Sequence, residues 1–204
     1  MTNSINLYYW PTPNGWKISI ALEEMGLPYK VHLIDINAGA QFDAAFLKLS
    51  PNGRMPAIVD PDGPDRAPIS LFESGAILQY LARKTGLFYG ETERQRIAVD
   101  QWLMWQMGGL GPMLGQAHHF LHYNPGISEY AEQRYAKEAA RLYGVLNTRL
   151  SGRDYLAGAG RGATEAGLER GWVGESRGPP APAGGRCTGR VILIPHAVVT
   201  IHHN

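Results

Sequence analysis

Three short segments of the sequence place polar residues where a helix or a strand is predicted to begin. In "TPNGWK", Thr12 precedes a proline, and Asn14 is a favourable N-cap for a helix starting near Gly15. In "LFESGAILQYL", Glu73 and Ser74 stand at the start of another helix. Because a helix N-terminus presents free N–H groups and the positive end of its dipole, both segments could hold an anionic ligand.

The second helix start and a third segment fit the ends and the backbone of a peptide-like ligand. The Ser74 hydroxyl and nearby N–H groups could donate to a carboxylate, while Glu73 could accept from an ammonium. In "NGRMPAIVD", Pro56 heads a predicted strand, and a cis bond there would leave the Met55 backbone free to pair with an extended peptide. Taken singly, the segments also fit a plain helix cap, an ordinary strand-initiating proline and a dipole-compensating glutamate.

The composition favours a globular protein with small-molecule or protein partners. Of the 204 residues 44% are hydrophobic and 18% charged, and the formal net charge is +1, so nothing favours nucleic acid or a membrane surface. No apolar run approaches the ~18 residues of a membrane span and no signal-peptide pattern is visible, so a cytoplasmic location is expected. The single cysteine, Cys187, excludes an internal disulfide, so thiol chemistry would depend on thiols that a substrate brings.

Hydrophobic patterns predict a small α/β unit followed by helices. Four strands are predicted from β-branched and aromatic runs, at 5–10, 28–36, 55–60 and 67–72. Three helices alternate with them, at 15–25, 42–50 and 73–86. The resulting order, β-α-β-α-β-β-α, fits a mixed sheet covered by helices.

Beyond this unit the pattern becomes helical, at 91–107 and 128–150, so a domain boundary is predicted near residues 86–91. The segment between these helices, "GGLGPMLG" at 108–115, is interpreted as a kink that allows close helix packing. Trp102, Trp105 and Met107 are interpreted as core or dimer-contact residues.

Together and in this order, the segments resemble glutathione S-transferases. The predicted α/β unit is similar to the thioredoxin-like N-terminal domain of that family, which an all-α domain follows. The resemblance to the bacterial nu-class, disulfide-bond oxidoreductase branch rests on "PTPNGWKISIALEE", "GAQFDAAFLKLSPNGRMPAIVD", "ISLFESGAILQYLA" and "QWLMWQMGGLGPMLGQAHHF". It extends from about residue 7 to about residue 158.

The resemblance implies a binding site for glutathione, used as a cosubstrate without a metal. Thr12 and Asn14 would lie beside the glutathione sulfur as the catalytic residues. The implied ligand contacts are Asn14, Gln41, the Met55 backbone, a cis-Pro56, Glu73, Ser74 and Arg134. The expected partners are glutathione, a small disulfide or electrophile, and a second copy of the chain in a homodimer, with neither nucleic acid nor membrane.

A hydroxyl or an amide is chemically sufficient to activate a thiol. A thiol with a pKa of about 8.5 is only ~3% ionised at pH 7, and lowering that pKa by about two units takes ~2.7 kcal/mol. One hydrogen bond to the thiolate, worth ~1.5–3 kcal/mol, with a helix N-terminus worth ~0.3–1 kcal/mol, reaches this figure. Tyr8 and Tyr9 fall within the first strand, where alternation sends them to opposite faces, so Thr12 and Asn14 are the expected activators.

Because the protein brings no cysteine to this site, disulfide reduction would use two glutathiones, one to attack and one to resolve the mixed disulfide. The predicted function is a glutathione-dependent disulfide-bond oxidoreductase with weak transferase activity. The alternatives are a conventional glutathione S-transferase that conjugates electrophiles, and a non-catalytic glutathione-binding or disabled fragment. His118 and His122 could share a helix face and bind a metal, but are interpreted as packing residues near a pocket or subunit interface.

The sequence departs from the family pattern near its end. From about residue 158 it is dominated by Gly, Ala, Pro and Arg, as a disordered tail or a frameshifted translation of GC-rich DNA would be. The predicted units are a glutathione-binding domain at 1–87, a partial all-helical domain at 91–157 and an anomalous tail at 158–204. The last segment, "VILIPHAVVTIHHN", is apolar and β-prone, although Pro195 interrupts it.

Overall fold

The computed structural model describes residues 4–153 and 155–157, and the backbone of two strands at 191–194 and 197–200. Within the first range a mixed sheet with covering helices precedes a helical region, which confirms the predicted order of elements. None of the helices in the described part of the chain has the length and apolar character of a membrane-spanning segment.

The sheet has four strands in the order β2-β1-β3-β4. Their bounds are β1 Ile5–Tyr9, β2 Tyr29–Leu33, β3 Ala57–Asp60 and β4 Ile69–Phe72. Strand β1 pairs in parallel with β2 and antiparallel with β3, and β3 pairs antiparallel with β4. A parallel pair needs a crossover connection, and helix α1, Pro13–Glu24, provides it between β1 and β2.

The core of this domain lies between the sheet and two helices, α1 and α3 (Ser74–Thr85). Its buried residues are Ile5, Leu7, Ile18, Ala21, Leu22, Ile58, Ile77 and Leu81. Helix α3 ends at Thr85 and is followed by the C-cap Gly86, which has a φ of 72°. Both helices pack on the same core. This packing brings the two helix N-termini named by the sequence into one region.

Two of the predicted helices have different boundaries in the structure. Helix α1 begins at Pro13, because Thr12, not Asn14, is the N-cap: its backbone is extended and its hydroxyl accepts from the Gly15 N–H. The helix predicted at 42–50 is shorter and is divided into a 3₁₀ turn at Ala40–Phe42 and α2 at Ala44–Leu47. The extended backbone of Asp43, with a ψ of 138°, separates the two.

The helical region consists of a long, interrupted helix and a second helix packed against it. It contains α4 Glu93–Trp105, a π-helical turn Gln106–Leu110, α5 Gly111–His118, a second π-helical turn His119–Tyr123, and α6 Glu129–Leu150. Leu110, Leu142 and Leu146 form its buried core. The domain boundary stays a prediction; in the structure residues 86–92 connect α3 to α4.

The glycine-rich segment at 108–115 continues the helix instead of breaking it. The π-helical turn adds an extra residue to the turn before α5, and π-bulges of this kind are typical of functional sites. A Cβ on Gly109 would lie 3.9 Å from Leu142, but a Cβ on Gly108 or Gly115 would meet nothing within 4 Å. Since 3.9 Å is an ordinary contact distance, close packing in the described structure requires glycine at none of these three positions.

Most of the predicted tail lies outside the described residues, including Cys187. The two strands within it are β5 Val191–Ile194 and β6 Ala197–Thr200, which pair antiparallel with Val191 opposite Thr200. They match the β-prone pattern of this end of the sequence, and Pro195 lies outside the described residues.

A buried carboxylate joins the end of β3 to helix α3. Asp60 is 1% exposed and accepts hydrogen bonds from the Tyr80 hydroxyl at 2.6 Å, from Lys84 Nζ at 2.9 Å and from the Asp62 N–H at 2.9 Å. Burial alone would raise the pKa of Asp60, but these donors outweigh it and hold the pKa below its ordinary value. The charged form of Asp60 therefore stabilises the fold.

We expect Asp60→Asn to lower the free energy of unfolding by about 2 kcal/mol at pH 7, because one charge-assisted acceptor is lost. Since the folded pKa lies below the ordinary value of 3.8, the stabilisation is complete above that pH and is lost as the pH falls through the folded pKa. Urea unfolding at neutral and acidic pH measures this. Asp62→Asn, at a carboxylate that is 62% exposed, is the matched control and should change little. Equal effects of the two variants would contradict the assignment.

Candidate active site

Thr12 places its hydroxyl at the N-terminus of α1, in contact with Met55. Its Oγ1 accepts from the Gly15 N–H at 3.4 Å and donates to Met55 Sδ at 3.6 Å. A thioether is a weak acceptor, and an anionic sulfur or oxygen would be a better partner for the same proton. The Thr12 hydroxyl is therefore available to a ligand at the mouth of α1.

The turn between β1 and α1 is so tight that position 15 requires glycine. A Cβ on Gly15 would clash with the Trp10 carbonyl oxygen and would lie 2.9 Å from the Tyr9 ring. The ring of Tyr9 packs against the domain core, whereas Tyr8, on the other face, stacks on His32 with ring centroids 4.9 Å apart. This agrees with the predicted alternation and leaves Thr12 as the hydroxyl at the turn.

Lys17, to which no role was predicted, connects the starts of α1 and α3. The residue is only 4% exposed, and its Nζ donates to Asn14 Oδ1 at 2.9 Å and to Ser74 Oγ at 3.2 Å. Its third neighbour is Met107 Sδ, at 3.8 Å, from the π-helical turn that follows α4. The side chain thus ties together two predicted ligand residues and the helical region.

The burial of Lys17 disfavours the charged form of its amine. Burial lowers the pKa of its amine from 10.5 to about 7, while the nearby Glu73 carboxylate acts in the opposite direction. An anion bound beside it would act as Glu73 does and favour the charged amine. A buried lysine with a perturbed pKa, in contact with polar groups at two helix starts, is typical of a functional site.

The start of α3 combines backbone strain with a buried hydroxyl. Glu73 is the N-cap, has a φ of 68° and makes no capping hydrogen bond with its side chain. A positive φ is costly for a residue with a Cβ, and such strain persists where function requires it. Next to it, Ser74 is buried and its Oγ lies 3.7 Å from Met107 Sδ. A Cβ on Gly75 would lie 3.0 Å from Met107, so this methionine packs directly on the start of α3.

Met55, Pro56 and Gln41, the remaining predicted ligand residues of the sheet domain, lie between β2 and β3. The Met55–Pro56 peptide bond is cis, and the Met55 side chain contacts Thr12. A Cβ on Gly53 would lie 3.4 Å from the Gln41 carbonyl oxygen, so Gln41 borders the turn that leads to Met55. Among the described residues, the buried Gln41 Oε1 has no hydrogen-bond partner. An N–H donor on a ligand would satisfy it.

Arg134 is not connected to the other predicted ligand residues. It is exposed on α6, and its charge acts on Glu138, whose pKa is lowered first by Arg141 and also by Arg134. Among the described residues it makes no hydrogen bond or ion pair with the sheet domain. Its predicted role stays a prediction.

The two histidines at the end of α5 contact each other and an aromatic ring. The rings of His118 and His122 are 4.8 Å apart, and His118 lies 4.7 Å from Tyr123. No group of three or more His, Cys, Asp or Glu that could hold a metal ion occurs in the described part of the chain.

Comparison with known proteins assigns the chain to a family. The family model "Glutathione S-transferase, N-terminal domain" matches residues 3–83. The disulfide-bond oxidoreductase YfcG of Escherichia coli (strain K12) is 55% identical over 155 residues, which cover 76% of this chain and 72% of that protein. The chain belongs to the glutathione S-transferase family. It is a glutathione S-transferase-like enzyme, as the sequence resemblance predicted.

Other members of the family extend this relationship to solved structures. The disulfide-bond oxidoreductase YghU of the same bacterium is 40% identical over 161 residues, covering 76% of this chain and 55% of its own. A glutathione transferase from Pseudomonas putida, with one glutathione disulfide bound per subunit, has a TM-score of 0.73 and 46% identity, covering 76% of this chain and 68% of that one. A family member from Pseudomonas fluorescens, with two glutathione bound, has the same TM-score and identity, covering 76% and 70%.

Lys17 and Met107 are the site residues of this family member that sequence reasoning missed. The sequence signal for Lys17 was its position on the buried face of α1, one turn before Ala21 and next to Ile18. Charged residues are rarely buried unless they are paired, so a lysine at a core position indicates a functional or structural role. Met107 gave no comparable signal, because its contact with Ser74 depends on how the helical region packs on the sheet domain.

The pKa of Lys17 predicts an unusual pH dependence of stability. Between its folded pKa of about 7 and its unfolded value of 10.5, the unfolded chain binds more protons than the folded one. The free energy of unfolding should therefore rise with pH across this window, by up to about 1.4 kcal/mol per pH unit from this residue. Lys17→Met should remove this rise in urea unfolding measured at several pH values. Lys30→Met, at an exposed lysine, should retain it; loss of the rise in both variants would refute the assignment.

Proposed function

We propose that this protein is a glutathione-dependent disulfide-bond oxidoreductase with weak glutathione transferase activity. The observation that carries the proposal is the cluster of hydrogen-bond donors at the start of α1, where Thr12 and Asn14 adjoin the buried Lys17. Donors at a helix N-terminus stabilise a thiolate, and the sequence offers no cysteine of its own at this place. The relatives named as disulfide-bond oxidoreductases support the same reaction.

In this proposal the ligand extends across the sheet domain from α1 to α3. Thr12 and Asn14 donate to the glutathione sulfur, and Ser74 with Glu73 binds the amino-acid end. The Met55 backbone, beside cis-Pro56, pairs with the peptide backbone of the ligand. Gln41 accepts from a ligand N–H through its buried oxygen, and Arg134 approaches from α6.

The proposed reaction balances with glutathione as the only reductant. A first glutathione thiolate attacks one sulfur of the disulfide, forms a mixed disulfide and releases the other sulfur as a thiolate. A second glutathione thiolate attacks the glutathione sulfur of that mixed disulfide and releases the second substrate thiolate. The two glutathiones lose two electrons and become glutathione disulfide, and the protons that they released on ionisation return to the two product thiolates.

The assembly and location of the protein are also proposals. We infer a homodimer and a cytoplasmic location, where reduced glutathione keeps thiols available as reductants. The supporting observation is membership of the glutathione S-transferase family.

Thr12→Val should reduce glutathione-dependent turnover of a small model disulfide by about 10²-fold, because one hydrogen bond to the thiolate is lost. Thr12→Ser retains the hydroxyl and is the matched control, with activity close to that of the unaltered chain. Thermal unfolding should show a loss of about 1 kcal/mol for Thr12→Val, which removes the N-cap oxygen. Equal turnover by the valine and serine variants would exclude Thr12 as a thiol activator.

Asn14→Ala should cause a comparable loss of disulfide turnover while retaining glutathione binding through the start of α3. A parallel assay with a chlorinated aromatic electrophile separates the possible functions. Faster conjugation than disulfide turnover by the unaltered chain would indicate a conventional transferase. Glutathione binding without either activity would indicate a non-catalytic protein, and absence of binding would overturn the proposed site altogether.

A further inference from the structure

Lys17 lies where one amine can set the hydrogen-bonding direction of two ligand residues at once. We propose that Lys17 is a positioning residue of the glutathione site, which orients Asn14 and Ser74 so that each presents a donor to the anionic ligand. The inference rests on the proposed function, since it concerns how the same site recognises glutathione. Its basis is the pair of contacts from Nζ, 2.9 Å to Asn14 Oδ1 and 3.2 Å to Ser74 Oγ.

The contact with Asn14 decides which end of its carboxamide faces the ligand. A charged lysine has three donors and no acceptor, so the atom 2.9 Å from Nζ must be the oxygen. The planar carboxamide then directs its Nδ2 away from Lys17, and among the described residues this nitrogen has no hydrogen-bond partner. Asn14 therefore has two N–H donors for a sulfur at the start of α1, and it offers that sulfur no repelling oxygen.

The contact with Ser74 has the same consequence for its hydroxyl. Because Oγ accepts from Lys17, its single proton must point to another acceptor. In this structure that acceptor is Met107 Sδ at 3.7 Å, which is a weak one. A ligand carboxylate would replace it with a charge-assisted hydrogen bond.

An anionic ligand reinforces this arrangement. Burial brings the pKa of Lys17 to about 7, and the Glu73 carboxylate acts in the opposite direction. The described groups that contact the amine, Asn14, Ser74 and Met107, are not titratable, and the charged group that acts on it is the Glu73 carboxylate at the start of α3. A bound carboxylate and thiolate add to the effect of Glu73, so the complex favours the charged amine with its three donors.

Without Lys17, neither neighbour has a fixed direction. The Asn14 carboxamide could turn its oxygen toward the sulfur, and the Ser74 hydroxyl could donate inward. The fraction of molecules with both donors facing the ligand would then fall. If Lys17 only packed α1 against α3, its removal would leave the directions of the Asn14 carboxamide and the Ser74 hydroxyl unchanged. An orienting role and a packing role therefore predict different effects of removing Lys17.

The test uses the full chain with Lys17→Met, which retains the length of the side chain and removes its donors. The pKa of the bound glutathione thiol is followed by the ultraviolet absorbance of the thiolate, and the affinity for S-methylglutathione by calorimetry. We expect an ionisation constant about tenfold smaller and an affinity about tenfold weaker, each corresponding to one weakened hydrogen bond. An unchanged thiol pKa and an unchanged affinity would overturn the proposal.

A double-mutant cycle separates orientation from charge. If Lys17 acts through Asn14, then Lys17→Met should have little further effect on the thiol pKa in an Asn14→Ala background. If Lys17 acts only through its positive charge, Lys17→Met should raise that pKa equally in both backgrounds, and this result would overturn the orientation role. The same logic applies to Ser74→Ala and the affinity for S-methylglutathione.

Two further variants keep the result interpretable. If Lys17→Met does not fold, Lys17→Gln replaces it. Its amide can donate or accept, so it does not fix the direction of both neighbours. A thiol pKa above that of the unaltered chain supports the proposal, and an equal thiol pKa overturns it. Lys30→Met, at an exposed lysine of β2, is the control for loss of one positive charge. Failure of the unaltered chain to bind glutathione would overturn both the proposed function and this inference, whereas normal binding with no effect of Lys17 overturns the inference alone.

Discussion

Burying an amine obliges the surrounding chain to supply acceptors, and this constraint organises the site of the protein. Lys17 has lost almost all contact with water, so its donors must be satisfied by Asn14, Ser74 and the Met107 sulfur. These three come from the first turn of α1, the first turn of α3 and the π-helical turn of the helical region. One buried group therefore fixes the relative positions of both helix starts and of the segment that packs on them.

The same region contains further features whose energetic cost points to function. Glu73 adopts a φ of 68°, which a residue with a side chain adopts only when its surroundings impose it. Gln41 holds a buried oxygen that no described residue satisfies, and the Thr12 hydroxyl donates to a weak sulfur acceptor. A peptide-like anion would satisfy the two polar groups: the Thr12 hydroxyl would donate to a charged acceptor, and Gln41 Oε1 would accept from an N–H. An enzyme can thus use unfavourable features of its free state to bind its ligand.

Much of the fold followed from local patterns, and the differences have local causes. The order of strands and helices and the mixed sheet agree with expectation, and so does the cis-Pro56 that the family resemblance implied. The N-cap of α1 was misplaced, because Asn14 and Thr12 are both good caps and only the geometry of the Gly15 N–H distinguishes them. The segment at 108–115, interpreted as a kink that allows close helix packing, lies in a π-helical turn and in α5, and its Leu110 packs with Leu142 and Leu146 of α6.

The sequence by itself determined the family, the α/β order and the residue types at the two helix starts, because these depend on spacing along the chain. It predicted Thr12, Asn14, Glu73 and Ser74 as one site, and the structure brings the last three together through a residue that the prediction had not used. Only the tertiary structure decided that Lys17 is buried between α1 and α3 and that Met107 is its third neighbour. The physical reason is that burial and the direction of a hydrogen bond are set by elements distant in sequence, and no local pattern encodes them.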